Sequence, residues 1–451
     1  MASAAEQLVS NMNFGALAKA TELKQRIWFT LLALVVFRLG THIPLPGIDS
    51  KVMADLFSQN AGGILGMVNM FAGGAVSRMA IFALGIMPYI SASIMVQLFT
   101  LVSKELEAMK KEGEMGRKKL NQYTRWLTLV LAIVQSYAMA VGLESMAGGS
   151  GGASVVTNPG MFFRISAVIT LTGGTMFVLW LAEQITARGI GNGSSLIIFT
   201  GIVAGLPHAI VTTLEMGRTG ALNPALILGI VLMVVSVIAF IVFMERAQRR
   251  LIVQYPKRQV GMKMFGGDSS HLPLKINSAN VIPPIFASSL LLLPATVLGF
   301  VNTDNSPEWL QTVSNMLNHG QPLFMALYAL LIIFFCFFYT AIVVNPDELA
   351  DNLKKFGGFI PGIRPGKSTS EYIDHVLTRL TVIGALYLAA VCMLPEFILA
   401  QMPGVPFYLG GTSLLIAVSV TMDTIAQVHS HLLAHQYEGL IKKAKLRGSK
   451  K

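Results

Sequence analysis

Apolar stretches long enough to cross a lipid bilayer recur along this chain and leave it few possible folds. The clearest stretch, residues 223–243, is almost purely aliphatic. About 20 consecutive apolar residues span the hydrocarbon core as a helix, and only helices or closed barrels satisfy their backbone hydrogen bonds in lipid. Charged residues make up 13% of the chain, roughly half of their share in a typical soluble domain. The sequence therefore predicts an all-α polytopic membrane protein.

Ten transmembrane helices are predicted from these stretches, and an even number places both termini on one side of the membrane. Most of the 34 lysines and arginines fall in the loops and tails of that side. Since cytoplasmic loops carry an excess of basic residues, that side is predicted to be cytoplasmic. The predicted segments cover about 26–43, 79–102, 126–143, 163–183, 194–214, 223–243, 278–300, 322–344, 378–398 and 408–428.

The ten segments form two halves of five, so the halves are predicted to have opposite orientations, as in folds with inverted pseudo-symmetry. The second segment of each half is interrupted by proline, at Pro88 in one and at Pro283 and Pro284 in the other. Broken segments at matching positions point to a pathway between the halves. The predicted organisation is a cytoplasmic amphipathic segment (1–23), a first half (24–215), a second half (216–431) with cytoplasmic loops 244–276 and 345–374, and a basic cytoplasmic tail (432–451).

Residues 60–100 hold a less regular apolar stretch. Its first part, from Ile64 to Ala75, has glycine pairs near both ends and is too short to span a bilayer. Its second part, from about Met79 to Val102, carries small and polar residues, which usually face protein or water in a spanning helix. This pattern is typical of a re-entrant plug half-helix followed by a helix that lines a pathway. It fits two packed helices joined by a glycine turn equally well.

Ionisable residues inside the apolar segments are few. A guanidinium at bilayer depth costs about 2.5–3.5 kcal/mol, so Arg38 in the first segment is predicted to face protein or water. No series of buried carboxylates resembles a proton relay, which argues against an ion-coupled transporter. No nucleophile with a base and no Walker-type glycine-lysine motif is recognised. The prediction is a protein that is not an enzyme and that receives energy from a partner.

Metal, cofactor and disulfide chemistry are not predicted either. Cys336 and Cys392 lie in apolar runs and fit the role of small packing residues. His431 and His435 are four residues apart, but Glu438 is the only acidic residue close by and no thiol is near. That set falls short of the ligands that a zinc site needs.

The loop 244–276 contains a β-prone run, Arg250–Tyr255, which predicts a short strand and therefore a hairpin. This loop and the loop 345–374 are both rich in lysine and arginine. Their charge is sufficient to fix the topology of the chain. It would also suit an electrostatic docking surface, for example for RNA, and the charge pattern leaves both interpretations open.

Several motifs resemble the SecY family, whose members are channel subunits of the bacterial Sec protein translocase. The resemblance runs nearly end to end. It is carried by Phe71–Arg78, Ile81–Ile94, Arg188–Gly193, Asp351–Lys355, Pro361–Gly366 and Gly410–Ile416. The resemblance implies a channel that passes unfolded polypeptides across the plasma membrane and releases apolar helices sideways into the bilayer.

The resemblance also implies roles for individual residues. A pore ring of aliphatic side chains, which can gate by excluding water, would comprise Ile86, Ile90, Ile198, Ile285 and Ile416. Ser194 falls where many relatives carry another isoleucine. A plug within about 64–76 would include Ile64, Leu65, Met67, Val68, Met70, Phe71, Gly73 and Gly74. By spacing alone, Ile86 and Ile90 share a helix face, a pattern that packing explains more often than a pore does.

A lateral gate is implied between the second and seventh segments, where signal sequences would reach lipid. Its candidates are Ser91, Gln97, Asn277, Asn280 and Ser288. Ordinary polar packing, worth about 0.6 kcal/mol for each interhelical hydrogen bond, would explain any one of them.

Partners are implied as well. The motor ATPase SecA and the translating ribosome would dock on the basic loops, through Arg258, Lys263, Lys354, Lys355 and Arg364. SecE and SecG would be companion subunits, and signal sequences, nascent polypeptides and membrane lipid would be transient partners. The alternatives are an ion-coupled secondary transporter of a small solute and a membrane scaffold without a pore.

Overall fold

A computed structural model of the chain is helical, with two small antiparallel sheets. It describes residues 21–59, 69–145, 154–220, 223–255, 258–260, 263–265, 269–299, 321–401 and 411–448. Residues 1–20 of the predicted amphipathic segment lie outside these ranges. Ile64, Leu65, Met67 and Val68 of the predicted plug also lie outside them.

The helices before the sheets begin and end as follows: α1 (Thr21–Gly40), α2 (Ser50–Gln59), α3 (Met87–Val102), α4 (Lys104–Lys111), α5 (Glu114–Ser145), α6 (Met161–Arg188), α7 (Gly193–Arg218) and α8 (Pro224–Arg246). The strands are β1 (Gln248–Gln254), β2 (Arg258–Val260), β3 (Lys263–Phe265) and β4 (Ser269–Lys275). The remaining helices are α9 (Ile282–Gly299), α10 (Pro322–Val343), α11 (Pro346–Lys355), α12 (Lys367–Gln401) and α13 (Gly411–Gly448).

Each of the ten predicted segments coincides with a helix. Within the described residues, seven helices are long and apolar enough to cross a membrane, namely α5, α6, α7, α8, α10, α12 and α13. The other three, α1, α3 and α9, are shorter or carry more charge along their described length. The helical membrane fold is therefore confirmed, and the count of ten spans stays a prediction.

The aliphatic helix α8 is the most exposed of the seven, since 6% of its apolar stretch is buried within the chain. An apolar helix that the rest of the chain leaves uncovered is suited to a lipid environment, as the composition of α8 predicts. Asn223 caps its first turn, because its side-chain oxygen accepts a hydrogen bond from the backbone N–H of Ala225. Pro224 follows at the first helical position, where no donor is lost.

The second predicted span begins later than the sequence pattern indicates. Helix α3 begins at Met87 rather than near Met79, and residues 72–86 form consecutive turns. Gly73, Gly74 and Gly85 have positive φ angles of 68°, 81° and 55°, which glycine adopts without steric penalty. These reversals interrupt the helix although the residues around them are apolar.

The predicted hairpin in the first basic loop is confirmed. Strands β1 and β4 pair antiparallel, with Leu251 opposite Leu272. A β-bridge between Gln254 and Phe359 joins this hairpin to the loop after α11. Apolar side chains from the hairpin, the loop and α12 form one small core, whose buried members are Leu251, Leu274, Ile360, Ile373 and Leu377. The two basic loops are thus one folded body.

The chain divides into two compact units. The first contains the described residues of Met1–Pro207, of Thr296–Asp304 and of Val420–Lys451. The second contains His208–Ala295 and the described residues of Asn305–Ser419. Helices α3, α5 and α6 therefore belong to the first unit, whereas both sheets and helices α8 and α10 to α12 belong to the second.

Candidate functional site

In the first unit, the described part of the predicted plug is packed against α7. Gly201 in α7 lies so close to it that an added Cβ would be 3.0 Å from the carbonyl oxygen of Phe71 and 3.1 Å from the nitrogen of Gly73. A side chain at Gly201 would therefore require the facing backbone to move by a few tenths of an ångström. Phe71 and Gly73, both predicted plug residues, are buried here. Met70 and Gly74 are partly buried.

Polar side chains hold the same segment in place. The Arg38 guanidinium donates a hydrogen bond from Nη1 to the carbonyl oxygen of Gly73. The side-chain oxygen of Asn69 accepts from the backbone N–H of Ser77 at 2.8 Å, and the Ser77 hydroxyl donates to the carbonyl of Gly74 at 2.9 Å. The prediction that Arg38 faces protein or water is confirmed, since its charge meets a backbone carbonyl.

The residues just before α3 pair with the end of the loop after α1. The N–H of Leu45 donates to the carbonyl of Met79 at 2.8 Å, and the N–H of Ile81 donates to the carbonyl of Ile43 at 3.0 Å. On the other side, α6 approaches so closely that a Cβ on Gly174 would be 2.1 Å from the carbonyl oxygen of Ile81. Backbone contacts therefore fix the residues that lead into α3.

All five isoleucines of the predicted pore ring are buried. Ile86, Ile90 and Ile198 belong to the first unit, and Ile285 and Ile416 belong to the second. Ile86 is the N-cap of α3, and its carbonyl accepts a hydrogen bond of 3.2 Å from the N–H of Ile90. The two side chains are thus placed one helical turn apart, as the spacing predicts. That the five form one ring stays a prediction.

Ser194, at the start of α7, makes a local contact. Its hydroxyl is 2.7 Å from the side-chain oxygen of Asn192, which also accepts from the backbone N–H of Ser194 at 3.2 Å. The hydroxyl therefore belongs to the cap of α7, where serine and asparagine are favoured.

The predicted gate residues of the first unit lie on α3. Ser91 is buried, and Gln97 donates from its amide nitrogen to the hydroxyl of Ser93 at 3.3 Å. Among the described residues, the side-chain oxygen of Gln97 is buried and has no hydrogen-bond partner. A buried amide oxygen left unpaired costs about 1–3 kcal/mol, so a donor that reached this oxygen would stabilise the position.

The predicted gate residues of the second unit lie at the start of α9 and just before it. The hydroxyl of Ser288 donates to the carbonyl of Ile285 in its own helix at 2.9 Å. Asn277 donates from Nδ2 to Oε1 of Glu245 at 2.7 Å and to the carbonyl of Asn280 at 3.1 Å. These are contacts inside the unit, and a hydrogen bond from one gate half to the other stays a prediction.

The predicted docking residues lie in the body formed by the two basic loops. Lys354 and Lys355 are exposed in the last turn of α11, and Arg364 is exposed in the loop that follows it. The carbonyl of Arg364 accepts a hydrogen bond of 3.0 Å from the hydroxyl of Thr369, which ties the loop to α12. Arg258 and Lys263 stand in the strands β2 and β3, of which the backbone pairing is described.

Three polar contacts were not anticipated from the sequence. One is the hydrogen bond from Asn277 to Glu245. Another is a bidentate ion pair between Arg125 of α5 and Glu183 of α6, with nitrogen to oxygen distances of 2.8 and 2.7 Å. The carboxylate of Glu144 accepts from the Arg164 side chain at 2.7 Å and from the N–H of Gly160 at 2.9 Å. The acidic residues of these contacts, Glu144, Glu183 and Glu245, lie at or near the ends of helices. That position was the one signal in the sequence by which they could have been found.

A model of the SecY family matches residues 80–425 of the chain. The chain is 56% identical over 427 residues to the protein translocase subunit SecY of Escherichia coli (strain K12), which covers 95% of this chain and 96% of that protein. It is 53% identical over 426 residues to the protein of the same description from Rickettsia conorii, covering 94% and 97% of the two chains.

Solved structures with a similar fold are channels. One, described as a protein conducting channel, has a TM-score of 0.65 at 17% sequence identity and covers 90% of this chain and 92% of its own. Another is Sec61 in the canine ribosome-channel complex from the endoplasmic reticulum, with a TM-score of 0.61 at 16% identity and the same coverage. Because the sequence identity is only 16–17%, these structures show that the fold is similar and nothing more.

Proposed function

The chain belongs to the SecY family, and from this premise we propose that it is the central subunit of a protein translocation channel. The observation that carries the proposal is the 56% identity, over 95% of the chain, to a protein translocase subunit of Escherichia coli. The channel conducts unfolded preproteins across the plasma membrane and releases transmembrane helices sideways into the bilayer. The relatives favour this function over the uptake of a small solute.

The pathway runs past the five buried isoleucines. A constriction of aliphatic side chains offers no fixed binding chemistry, so it suits polypeptides of many sequences and excludes water when empty. Ile86 and Ile90 supply its first-unit side from the start of α3. The segment from Asn69 to Gly74, held by the Arg38 side chain, is the trailing end of the plug.

The lateral gate lies at α3 and α9. The amide oxygen of Gln97, which has no partner among the described residues, is free to accept a hydrogen bond from a polar residue that enters the gate. Hydrogen bonds between helices contribute about 0.6 kcal/mol each in a membrane, so a signal helix can displace several of them. Ser91, Asn277, Asn280 and Ser288 complete the set of polar residues that line the gate.

The folded body of the two basic loops is the docking surface for the partners that drive transport. Exposed Lys354, Lys355 and Arg364, with Arg258 and Lys263, meet either the motor ATPase SecA or the translating ribosome. A related Sec61 channel is known in a complex with the ribosome, which supports the second partner. SecE and SecG are the companion subunits, the termini and basic loops lie in the cytoplasm, and the chain performs no catalysis of its own.

Reconstitution tests this proposal. Vesicles that contain the chain with SecE and SecG are supplied with SecA, ATP and a radiolabelled preprotein, and protease-protected preprotein is measured. We expect protection that requires the chain, ATP and an intact signal sequence. Protection that is equal in vesicles lacking the chain would contradict the proposal. Saturable uptake of a small solute, driven by an ion gradient, would support a transporter instead.

A further inference from the structure

A buried carboxylate lies at the end of α8, beside the loop that leads into α9. Glu245 is 8% exposed, and its Oε1 accepts the 2.7 Å hydrogen bond from Nδ2 of Asn277, which is 2% exposed. Burial of a carboxylate is costly, and a hydrogen bond to the charged form offsets more of that cost than a neutral one does. The pair therefore links α8 firmly to the loop before α9.

The same amide group sets the conformation of that loop. Nδ2 of Asn277 also donates to the carbonyl of Asn280, whose φ angle is 54°. A left-handed residue other than glycine is strained unless its surroundings hold it. Helix α9 begins two residues later, at Ile282. The side chain of Asn277 thus holds the strained turn from which α9 starts.

The backbone of the loop is confined from two sides within the second unit. The N–H of Ile276 donates to the carbonyl of Ala247, at the end of α8, at 3.1 Å. On the α12 side, a Cβ on Gly384 would be 2.9 Å from the carbonyl oxygen of Ile276. The contact between Glu245 and Asn277 adds a side-chain restraint to these two backbone restraints.

We propose that Glu245 is a positioning residue for α9: through Asn277 it fixes where this helix begins and so how readily the helix moves. The inference rests on the proposed function, because α9 carries Ile285 of the candidate pore and Ser288 of the candidate gate. In the conformation described, the candidate pore isoleucines are buried. Loss of the contact favours other conformations and lets the channel accept substrates with poor signal sequences.

The test compares two preproteins in vesicles that contain the full chain with SecE and SecG. One preprotein has an intact signal sequence, and the other has a charged residue in its apolar part. Replacement of Glu245 by leucine removes the acceptor, and Glu245→Gln keeps an acceptor without the charge. We expect the ratio of defective to intact export to rise about tenfold for Glu245→Leu and a few-fold for Glu245→Gln. Glu215→Gln, at an exposed carboxylate near the end of α7, leaves the ratio unchanged.

A swapped pair separates positioning from general damage. Asn277→Asp alone places two carboxylates in contact. Glu245→Gln combined with Asn277→Asp restores an amide beside a carboxylate, although the new carboxylate cannot donate to the carbonyl of Asn280. We therefore expect the ratio of the double variant to be about threefold lower than that of Asn277→Asp, without reaching the wild-type value. A double variant with the same ratio as Asn277→Asp, or an unchanged ratio in Glu245→Leu, would overturn the inference. Failure of the wild type to export the intact preprotein would instead overturn the proposed function.

Discussion

The segments that lead into α3 and α9 occupy matching places in the two predicted halves, yet they are held in different ways. Residues 72–86 have the tighter backbone contact, because a Cβ on Gly174 would be 2.1 Å from the carbonyl oxygen of Ile81, and the Arg38 side chain adds a hydrogen bond. Residues 276–281 have a looser backbone contact, at 2.9 Å from a Cβ on Gly384, and a buried hydrogen bond between Asn277 and Glu245. Close packing therefore dominates the first arrangement, and hydrogen bonding to a carboxylate has the larger part in the second.

From this difference we expect substitutions on the two sides of the proposed gate to change the stability of the protein to different extents. A steric contact against backbone fails abruptly, because protein interiors are close-packed and relax little. A polar contact weakens by degrees as the acceptor is changed. The predictions below test the contrast, in order of decreasing effect.

The largest effect is expected for Gly174→Ala, because the new methyl group would stand 2.1 Å from the carbonyl oxygen of Ile81. Overpacking of this kind costs about 3 kcal/mol, and the melting temperature of the purified complex should fall by several degrees. Gly173→Ala is the matched control, since a Cβ there has no neighbour within 4 Å. Equal melting temperatures for the two variants would show that the backbone contact does not hold this segment.

A smaller effect is expected for Arg38→Met, which removes the hydrogen bond to the carbonyl of Gly73 and keeps the aliphatic stem. A hydrogen bond to a charged group contributes about 1.5–3 kcal/mol, so the segment should open more often. Maleimide labelling of Val76→Cys, a buried position, measures this opening after Cys336 and Cys392 are replaced by alanine. We expect labelling to be about tenfold faster, with no change in the exposed control Arg218→Met.

The third effect concerns the second region. Gly384→Ala would place a Cβ 2.9 Å from the carbonyl oxygen of Ile276, a milder clash than at Gly174, and should cost about 1 kcal/mol. Gly229→Ala on α8, with no neighbour within 4 Å, controls for the added methyl group. Thermal unfolding of the purified complex provides the measurement. A loss as large as that of Gly174→Ala would remove the contrast between the two regions.

The smallest effect is expected for Ser194→Ile. The hydroxyl of Ser194 contacts Asn192, but the cap of α7 also uses the backbone N–H of Ser194, which isoleucine retains. Changes of this kind alter stability by about 0.5 kcal/mol or less. The same thermal assay should place this variant within about one degree of the wild type. A melting temperature several degrees lower would show that the hydroxyl of Ser194, rather than its backbone N–H, stabilises the start of α7.

The helices could be predicted from the sequence because long apolar runs allow few other structures. The hairpin could be predicted as well, since the β-prone run Arg250–Tyr255 stands in a polar loop. The start of α3 could not be predicted, because the residues around Gly73, Gly74 and Gly85 are apolar, as in a helix that spans the membrane. The turns that precede α3 are shown by the positive φ angles of these glycines. The pair of Glu245 and Asn277 was missed because its members are 32 residues apart and neither carries a local motif.

Among the candidate pore residues, the spacing in the sequence places Ile86 and Ile90 on one helical turn, and the structure agrees, since Ile86 is the N-cap of α3 and accepts from the N–H of Ile90. The gate assignments concern residues far apart in the sequence, such as Gln97 and Asn277, which local patterns do not pair. The resemblance to a family supplied those assignments, and they stay predictions for this chain.

The most direct measurement is a disulfide between the channel and a polypeptide in transit. Ile90→Cys is introduced after Cys336 and Cys392, both buried, are replaced by alanine, and an exported chain with one cysteine is stalled partway. We predict that a disulfide forms only while the stalled chain spans the membrane. If Ile90→Cys never reacts, while a control cysteine at Lys355 does, then polypeptides dock on this protein but do not pass through it.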